Sequence, residues 1–432
     1  MPNHTPAAQL ACLLTGQLQG TTHLDLRHCG LTELPPQVLS LADTLEVLDV
    51  SGNALHTLPD GLAQCRRLHT LFASGNRFAM LPAVLGRLPA LDTLGFKANQ
   101  IAEVPAAALA PTLRWLILTD NRIGELPATL ADCHRMQKLM LAGNRLARLP
   151  AGIGRLQRLE LLRLAANRFA RRQDALPDEL LALPHLAWLA HAGNPFSAAR
   201  EQAAAAERSP ARRIPWGQLS LQDMLGEGAS GQIHAAQWQP GANTAARPVA
   251  VKLFKGEVTS DGLPQCEMAA TLAAGDHPAL VGVHGVLADH PQHRQGLVLP
   301  RLAAHWAPLA GPPSMRSCSR DVYAPGLRLP ADQADRIGQA AASAMAHLHG
   351  RGLMHGDLYA HNLLVDGQGG ALLSDFGAAS FLPEDDPACA EALRALDRRA
   401  LDILLDELAA HAGGGHLPNH GAFASNTGRQ LR

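Results

Sequence analysis

Lysine is scarce in this chain. Lys97, Lys138, Lys252 and Lys255 are the only four among 432 residues, and taking them from a Lys+Arg total of 37 leaves 33 arginines. Charge of one sign is also lacking: a net charge of −1 with interspersed signs gives no footprint for nucleic acid. No run of residues is long and apolar enough to span a membrane, and no secretory leader is visible, so no membrane association is expected. The seven cysteines stand singly at 12, 29, 65, 133, 266, 318 and 389. Without C-x-x-C pairs they suggest neither a disulfide framework nor a zinc site, and a reducing cytoplasm is the expected setting. The 21 histidines are scattered and read as surface or packing residues. An excess of Ala and Arg over Lys suggests a GC-rich bacterial genome.

What the first half does have is a period. The motif L-x-x-L-x-L-x-x-N ends at Cys29, Asn53, Asn76, Asn99, Asn121, Asn144, Asn167 and Asn194, in steps of 24, 23, 23, 22, 23, 23 and 27. Eight leucine-rich repeats follow from that spacing. Leu-Pro or Val-Pro pairs recur in register, as at Leu58-Pro59 and Val104-Pro105. Leucines such as Leu113, Leu116 and Leu118 are expected to stack between coils, with the asparagine amides bonding backbone. Alternate strand positions then face the concave surface. Among them Phe72, Trp115, Ile117, Met140 and Trp188 form an apolar patch suited to a protein partner. A second reading stays open, in which some of these residues cover the neighbouring domain.

The second half carries motifs rather than a period. His355-Gly-Asp357-Leu-Tyr-Ala-His-Asn362 is followed by Ser374-Asp375-Phe376-Gly377. Phosphoryl transfer needs a carboxylate to orient the attacking hydroxyl, and an amide oxygen and a second carboxylate to hold Mg²⁺ on the phosphates. Asp357, Asn362 and Asp375 supply that set in order. Upstream, Gly226-Glu-Gly228-Ala-Ser-Gly231-Gln-Ile233 reads as a glycine turn between two strands, where bare backbone can approach phosphates. Twenty-one residues past Gly231 stands Lys252, in Val249-Ala250-Val251-Lys252. Strand alternation turns Ala250 and Lys252 to one side, so both can share a nucleotide cleft.

These residues resemble the glycine loop, V-A-I-K strand, catalytic loop and D-F-G of protein kinases, over 217 to about 408. The resemblance implies ATP and Mg²⁺. It makes Asp357 the catalytic carboxylate and Lys252 the phosphate-binding cation, with Glu267 as its ion-pair partner. It places Gly226, Gly228, Gly231, Ile233, Ala250, Lys252 and Leu299 around the nucleotide, and Asn362 and Asp375 on the metal. The whole chain is similar to bacterial leucine-rich-repeat protein kinases. The expected fold is an α/β solenoid horseshoe joined to an α+β bilobal kinase-like domain with a shortened C-lobe. Its expected parts are a cap at 1–20, repeats at 21–196, a linker at 197–216 and the kinase-like region at 217–432, with the C-lobe truncated after about 408.

Departures from the pattern carry expectations too. Gly356 stands where most protein kinases have arginine, which implies no control by loop phosphorylation. Tyr359 replaces the lysine that serine/threonine kinases place two residues after the catalytic aspartate. The segment from Asp375 to Pro383-Glu384 is too short to be a normal peptide-docking activation segment. An irregular insertion, His305 to Pro330, is expected to project from the C-lobe surface. Asp397 to Leu408 reads as the buried αF helix. A serine/threonine-type protein kinase with a partner-binding repeat module is the main reading. A catalytically impaired ATP-binding scaffold and a sugar- or aminoglycoside-type small-molecule kinase are the rivals.

Overall fold

The computed structural model describes residues 5–208, 213–228, 231–241, 243–256, 258–259 and 261–412. The tip of the glycine turn (229–230), part of the expected linker (209–212) and the tail beyond 412 lie outside these.

Helix α1 (Pro6–Leu14), N-capped by Thr5, covers the first coil with Leu13. The repeat strands are β1 (His23–Asp25), β2 (Val47–Asp49), β3 (Thr70–Phe72), β4 (Thr93–Gly95), β5 (Trp115–Ile117), β6 (Lys138–Met140), β7 (Leu161–Arg163) and β8 (Trp188–Ala190). They pair in parallel, in chain order, as one sheet. The reason is local. Each central leucine, such as Leu48, Leu94 and Leu116, is fully buried between coils. Each asparagine ties neighbouring coils together. Asn76 Nδ2 donates to Val50 O and Ala73 O at 3.0 Å, while its Oδ1 accepts from Leu55 N at 2.9 Å. A proline then leads into a 3₁₀ turn on the convex side, as Pro59 does before Asp60–Gln64. The last repeat adds two single-turn helices, α2 (Arg172–Ala175) and α3 (Asp178–Leu181).

After α4 (Ala198–Arg208), strand β9 (Arg213–Pro215) joins a sheet with β10 (Leu219–Glu227), β11 (Gly231–Trp238), β12 (Arg247–Phe254), β13 (Gly285–Ala288) and β14 (Gly296–Pro300), in the order β10-β11-β12-β14-β13-β9. The stretch 197–216 thus includes a helix and an edge strand of this sheet. Helix α5 (Pro264–Ala274) is buried along most of its length. The second lobe is built on α6 (Ala331–Gly350) and α7 (Pro387–His411), with the small pairs β15 (Ala307–Pro308), β17 (Leu363–Val365) and β18 (Ala371–Leu373), and β16 (Leu353–Met354) with β19 (Ser380–Phe381). The helix read from Asp397 to Leu408 is real and begins ten residues earlier, where Asp386 caps it by accepting from Cys389 N at 3.0 Å.

The two halves share their cores. Ala390, Leu393 and Leu396 of α7 belong to the apolar core of the repeats, whereas Ala400, Leu404 and Leu408 of the same helix belong to the C-lobe core. A solenoid needs its terminal coil covered, and α7 does this here. In return, Leu161, Ala187 and Trp188 of the repeats enter the C-lobe core.

Two expectations are corrected by this arrangement. The 305–330 insertion does not simply project from the C-lobe surface; its stretch 315–320 lies against the concave face of the repeats. There Met315 O accepts from Arg114 Nη2 at 3.0 Å, Cys318 O accepts from Lys138 Nζ at 3.1 Å, and Ser319 bonds Glu160. Trp188 is likewise no free partner residue. It is 1% exposed, stacks on Tyr359 at 4.2 Å between ring centroids with the planes 9° apart, and donates Nε1 to Leu358 O at 2.9 Å. Met140 packs against the same C-lobe core. The concave face is therefore covered at its C-terminal end, leaving Phe72, Trp115 and Ile117 half-buried toward the other end.

His191 at this junction has a pH consequence. It is 2% exposed, lies beside Phe196, and neither ring nitrogen has a hydrogen-bond partner among the described residues. Burial pushes its pKa down to about 4. The unfolded chain takes the proton first, so stability is full above about pH 6.5 and is lost as pH falls toward 4, at about 1.4 kcal/mol per unit. Denaturation of wild type and His191→Leu between pH 7 and 4.5 should show the shallower acid loss in the variant; parallel curves would refute the assignment.

Candidate active site

Strand β12 sets the upper wall. Val249, Val251 and Leu253 fill a core with Ile214, Leu219, Ala236 and Val298, which turns Ala250 and Lys252 to the opposite face. Register places Ile233 opposite Lys252 and Leu299 opposite Ala250, so all four side chains share that face. The glycine turn closes with Gly228 N donating to Gly231 O at 2.9 Å. A Cβ on Gly231 would meet Leu253 O at 2.6 Å, so the glycine there is required by strand packing, whereas Gly226 and Gly228 have open space around them.

Lys252 Nζ donates to Glu267 Oε1 on α5 at 2.5 Å and lies 3.8 Å from Asp375 Oδ1. Burial opposes the charge on Lys252, but Asp375 and Glu267 together raise its pKa, so it stays protonated. Burial pushes the Glu267 carboxyl up, to about 7, against the pull of Lys252. Its Oε2 is buried without a hydrogen-bond partner among the described residues. Asp375 sits at φ +59, with its side chain 46% exposed and Gly377 N donating to Oδ1 at 3.1 Å.

Residues 355–362 form the floor. Asn362 Nδ2 donates to Asp357 O at 2.9 Å and to Asp357 Oδ2 at 3.0 Å, which commits the amide nitrogen to the loop and leaves the amide oxygen as a ligand atom. The loop hangs from α7. Asp397, fully buried, accepts from His355 N at 2.8 Å, Gly356 N at 2.9 Å and His349 Nε2 at 3.0 Å. His355 and Phe376 pack together at 5.4 Å. The candidate residues on the two lobes thus face one cleft.

Three residues of this site were not singled out in the sequence as functional. Asp397 was read only as the start of a helix. Asp261, in the loop before α5, belongs to no motif, and Arg163, on β7, is one of the alternate repeat-strand positions expected only to face the concave surface. Yet Arg163 reaches from the repeats to hydrogen-bond Asp357 Oδ1, and its Nε donates to Asp261 Oδ1 at 2.6 Å. Gly356 has a cause in the same contact: at φ +71, a Cβ on it would overlap the carbonyl oxygens of Leu189 and Ala378. A charged arginine side chain has no room there.

The geometry is that of a two-lobed domain with a cleft between its lobes, joined to a horseshoe of parallel-stranded repeats. Residues 219–396 match the family model of protein tyrosine and serine/threonine kinases, and 19–78 match that of leucine-rich repeats. The chain carries leucine-rich repeats followed by a protein kinase domain. It is 30% identical over 202 residues to CBL-interacting protein kinase 22 of Oryza sativa subsp. japonica, covering 43% of this chain and 41% of that protein. Similarity to CBL-interacting protein kinase 4 of the same plant is 32% over 172 residues, 39% of this chain and 34% of the relative. Ephrin type-A receptor 8 of Mus musculus is 29% identical over 200 residues, 44% of this chain and 18% of the receptor. The matched stretch thus spans less than half the length of each of these relatives. These matches are to protein kinases and not to small-molecule kinases.

Proposed function

We propose that the chain is an ATP- and Mg²⁺-dependent protein kinase acting on serine or threonine hydroxyls. The observation that carries this is the joint assembly of Lys252, Glu267 and Asp375 on one side of the cleft and Asp357 with Asn362 on the other. Lys252, held by Glu267, would bind the α and β phosphates of ATP. Asp357 would accept a hydrogen bond from the acceptor hydroxyl and take its proton as oxygen bonds to the γ phosphorus and ADP leaves with the bridging oxygen. Asn362 and Asp375 would hold Mg²⁺, which when bound neutralises charge on the phosphates. No group of three or more His, Cys, Asp or Glu that could hold a metal occurs among the described residues. A metal shared with phosphates needs only one or two side chains.

The repeats would carry the partner-binding role on the half-buried part of the concave face, with Phe72 and Ile117, and with Trp115 at the edge of the region that this chain covers. The repeats are taken as 21–196 and the kinase-like region as 217–432, with 197–216 between them supplying α4 and the edge strand β9. Seven unpaired cysteines support a cytoplasmic setting, and no helix among the described residues is long and apolar enough to cross a membrane. The Arg-rich, Lys-poor composition supports a bacterial source.

Nucleotide binding gives the test. Ligand at a hundred times its dissociation constant stabilises a protein by about 2.7 kcal/mol. ATP with Mg²⁺ should therefore raise the melting temperature of the full chain, and Asp375→Ala should erase the difference made by the metal. Equal shifts with and without Mg²⁺ in the wild type would remove Asp375 from the metal site.

A further inference from the structure

Among the described residues, Arg163 is the side chain of the repeat array that hydrogen-bonds the proposed catalytic carboxylate. Concave strand positions are ordinarily open to solvent, yet this guanidinium is 3% exposed. Its three nitrogens are all directed at the cleft: Nη2 to Asp357 Oδ1, Nε to Asp261 Oδ1, and Nη1 to Gly356 O at 3.4 Å. Burial works against the charge, and the two aspartates outweigh it, so the group stays cationic.

Two roles are open to such a contact, a latch that blocks the carboxylate or a brace that orients it. The surroundings decide between them. Lys252, Glu267 and Asp375 are assembled while Arg163 is in place, so the contact accompanies a formed site. The Asp357 side chain remains 16% exposed, with Oδ2 fixed from the other side by Asn362. Arg163 on one oxygen and Asn362 on the other leave the carboxylate little freedom to rotate. The interface around this point is a shared core rather than a hinge, with Trp188 stacked on Tyr359 and the Leu189 carbonyl seated on Gly356. Tyr359 supplies no cation to the loop; the nearest one is Arg163.

We propose that Arg163 is a positioning residue of the phosphoryl-transfer site, contributed by the seventh repeat strand, and that the repeats thereby complete the active site of the kinase domain. This rests on the protein kinase reading. Arg163 fixes the rotamer of Asp357 and ties it, through Asp261, to the loop that precedes α5. A planar fork can bridge two carboxylates at once; an ammonium cannot do so in the same geometry.

The test uses the full chain, with ATP turnover to ADP measured in the presence of Mg²⁺ and casein. Misplacing a catalytic group by about 1 Å costs on the order of a hundredfold in rate. Arg163→Met is expected to lower kcat by about that factor while leaving the KM for ATP and the thermal shift with Mg-ADP close to wild type. Arg163→Lys should recover part of the rate, remaining about tenfold below wild type. If Arg163→Met does not fold, Arg163→Lys decides alone, and a wild-type kcat overturns the proposal. Turnover in Arg163→Met equal to or above wild type would overturn it too, a rise marking an inhibitory latch. Loss of kcat together with loss of the Mg-ADP shift in both variants would mark a purely structural contact and overturn it as well. Absence of turnover in the wild type above an Asp357→Asn control would fail the kinase reading and this inference with it.

Discussion

Trp188→Ala is expected to destabilise the chain by about 3 to 5 kcal/mol, the usual cost of deleting a buried tryptophan. The side chain is 1% exposed, stacks on Tyr359 and donates to Leu358 O, one residue past Asp357. Its loss would leave a cavity between the halves and a buried carbonyl unpaired, directly under the catalytic loop. Polar contacts across the interface flank it, from Arg172 to Asp385 and Asp386, and from Arg200 to Glu384 at 2.9 Å. These lie at the surface and add little each, so the shared apolar core is the main tie. Repeats and kinase domain should therefore melt in one transition in the wild type. Denaturant unfolding followed by tryptophan fluorescence and far-UV circular dichroism tests this. A change below about 1 kcal/mol in Trp188→Ala, or two well-separated wild-type transitions, would show that the halves are independent. A fragment of residues 217–432 would expose Tyr359 and the apolar face of α7 and should be unstable.

The repeats were legible because one leucine period recurs, and the asparagine ladder follows from it. The nucleotide cleft was legible because its residues stand at fixed spacings along strands and loops: Lys252 and Ala250 alternate on β12, and Asn362 follows Asp357 by five. What the sequence hid was the meeting of the two halves. Arg163 and Asp357 are 194 residues apart, Trp188 and Leu358 are 170 apart, and no local period links them. Trp188 was visible as an apolar concave residue, and only the fold shows that its partner is this same chain. Gly356 was read as the loss of a regulatory arginine; its positive φ and the nearby carbonyls give the physical reason. Asp397 was hidden in a helical pattern because a buried carboxylate that caps a distant loop leaves the helix period unchanged. The 305–330 insertion carries Pro, Gly and Ser, which read as an exposed loop, yet its backbone carbonyls are drawn onto Arg114 and Lys138.

The central claim is phosphoryl transfer from ATP by a site whose general base is Asp357. General base catalysis contributes about 10² to 10⁴ in rate, so Asp357→Asn should lower transfer by about 10³. Asparagine keeps the shape of the side chain and can still accept from Arg163, which limits damage to the interface; alanine would leave Asp261 as the only carboxylate on the buried guanidinium. The decisive measurement is incorporation of label from γ-labelled ATP, with Mg²⁺, into proteins of a cell lysate, comparing the full chain with Asp357→Asn at equal folded concentration. The account predicts labelled protein bands with the wild type that fade about a thousandfold with the variant. Bands of equal strength from both proteins, or none from a wild type that binds Mg-ATP, would contradict it.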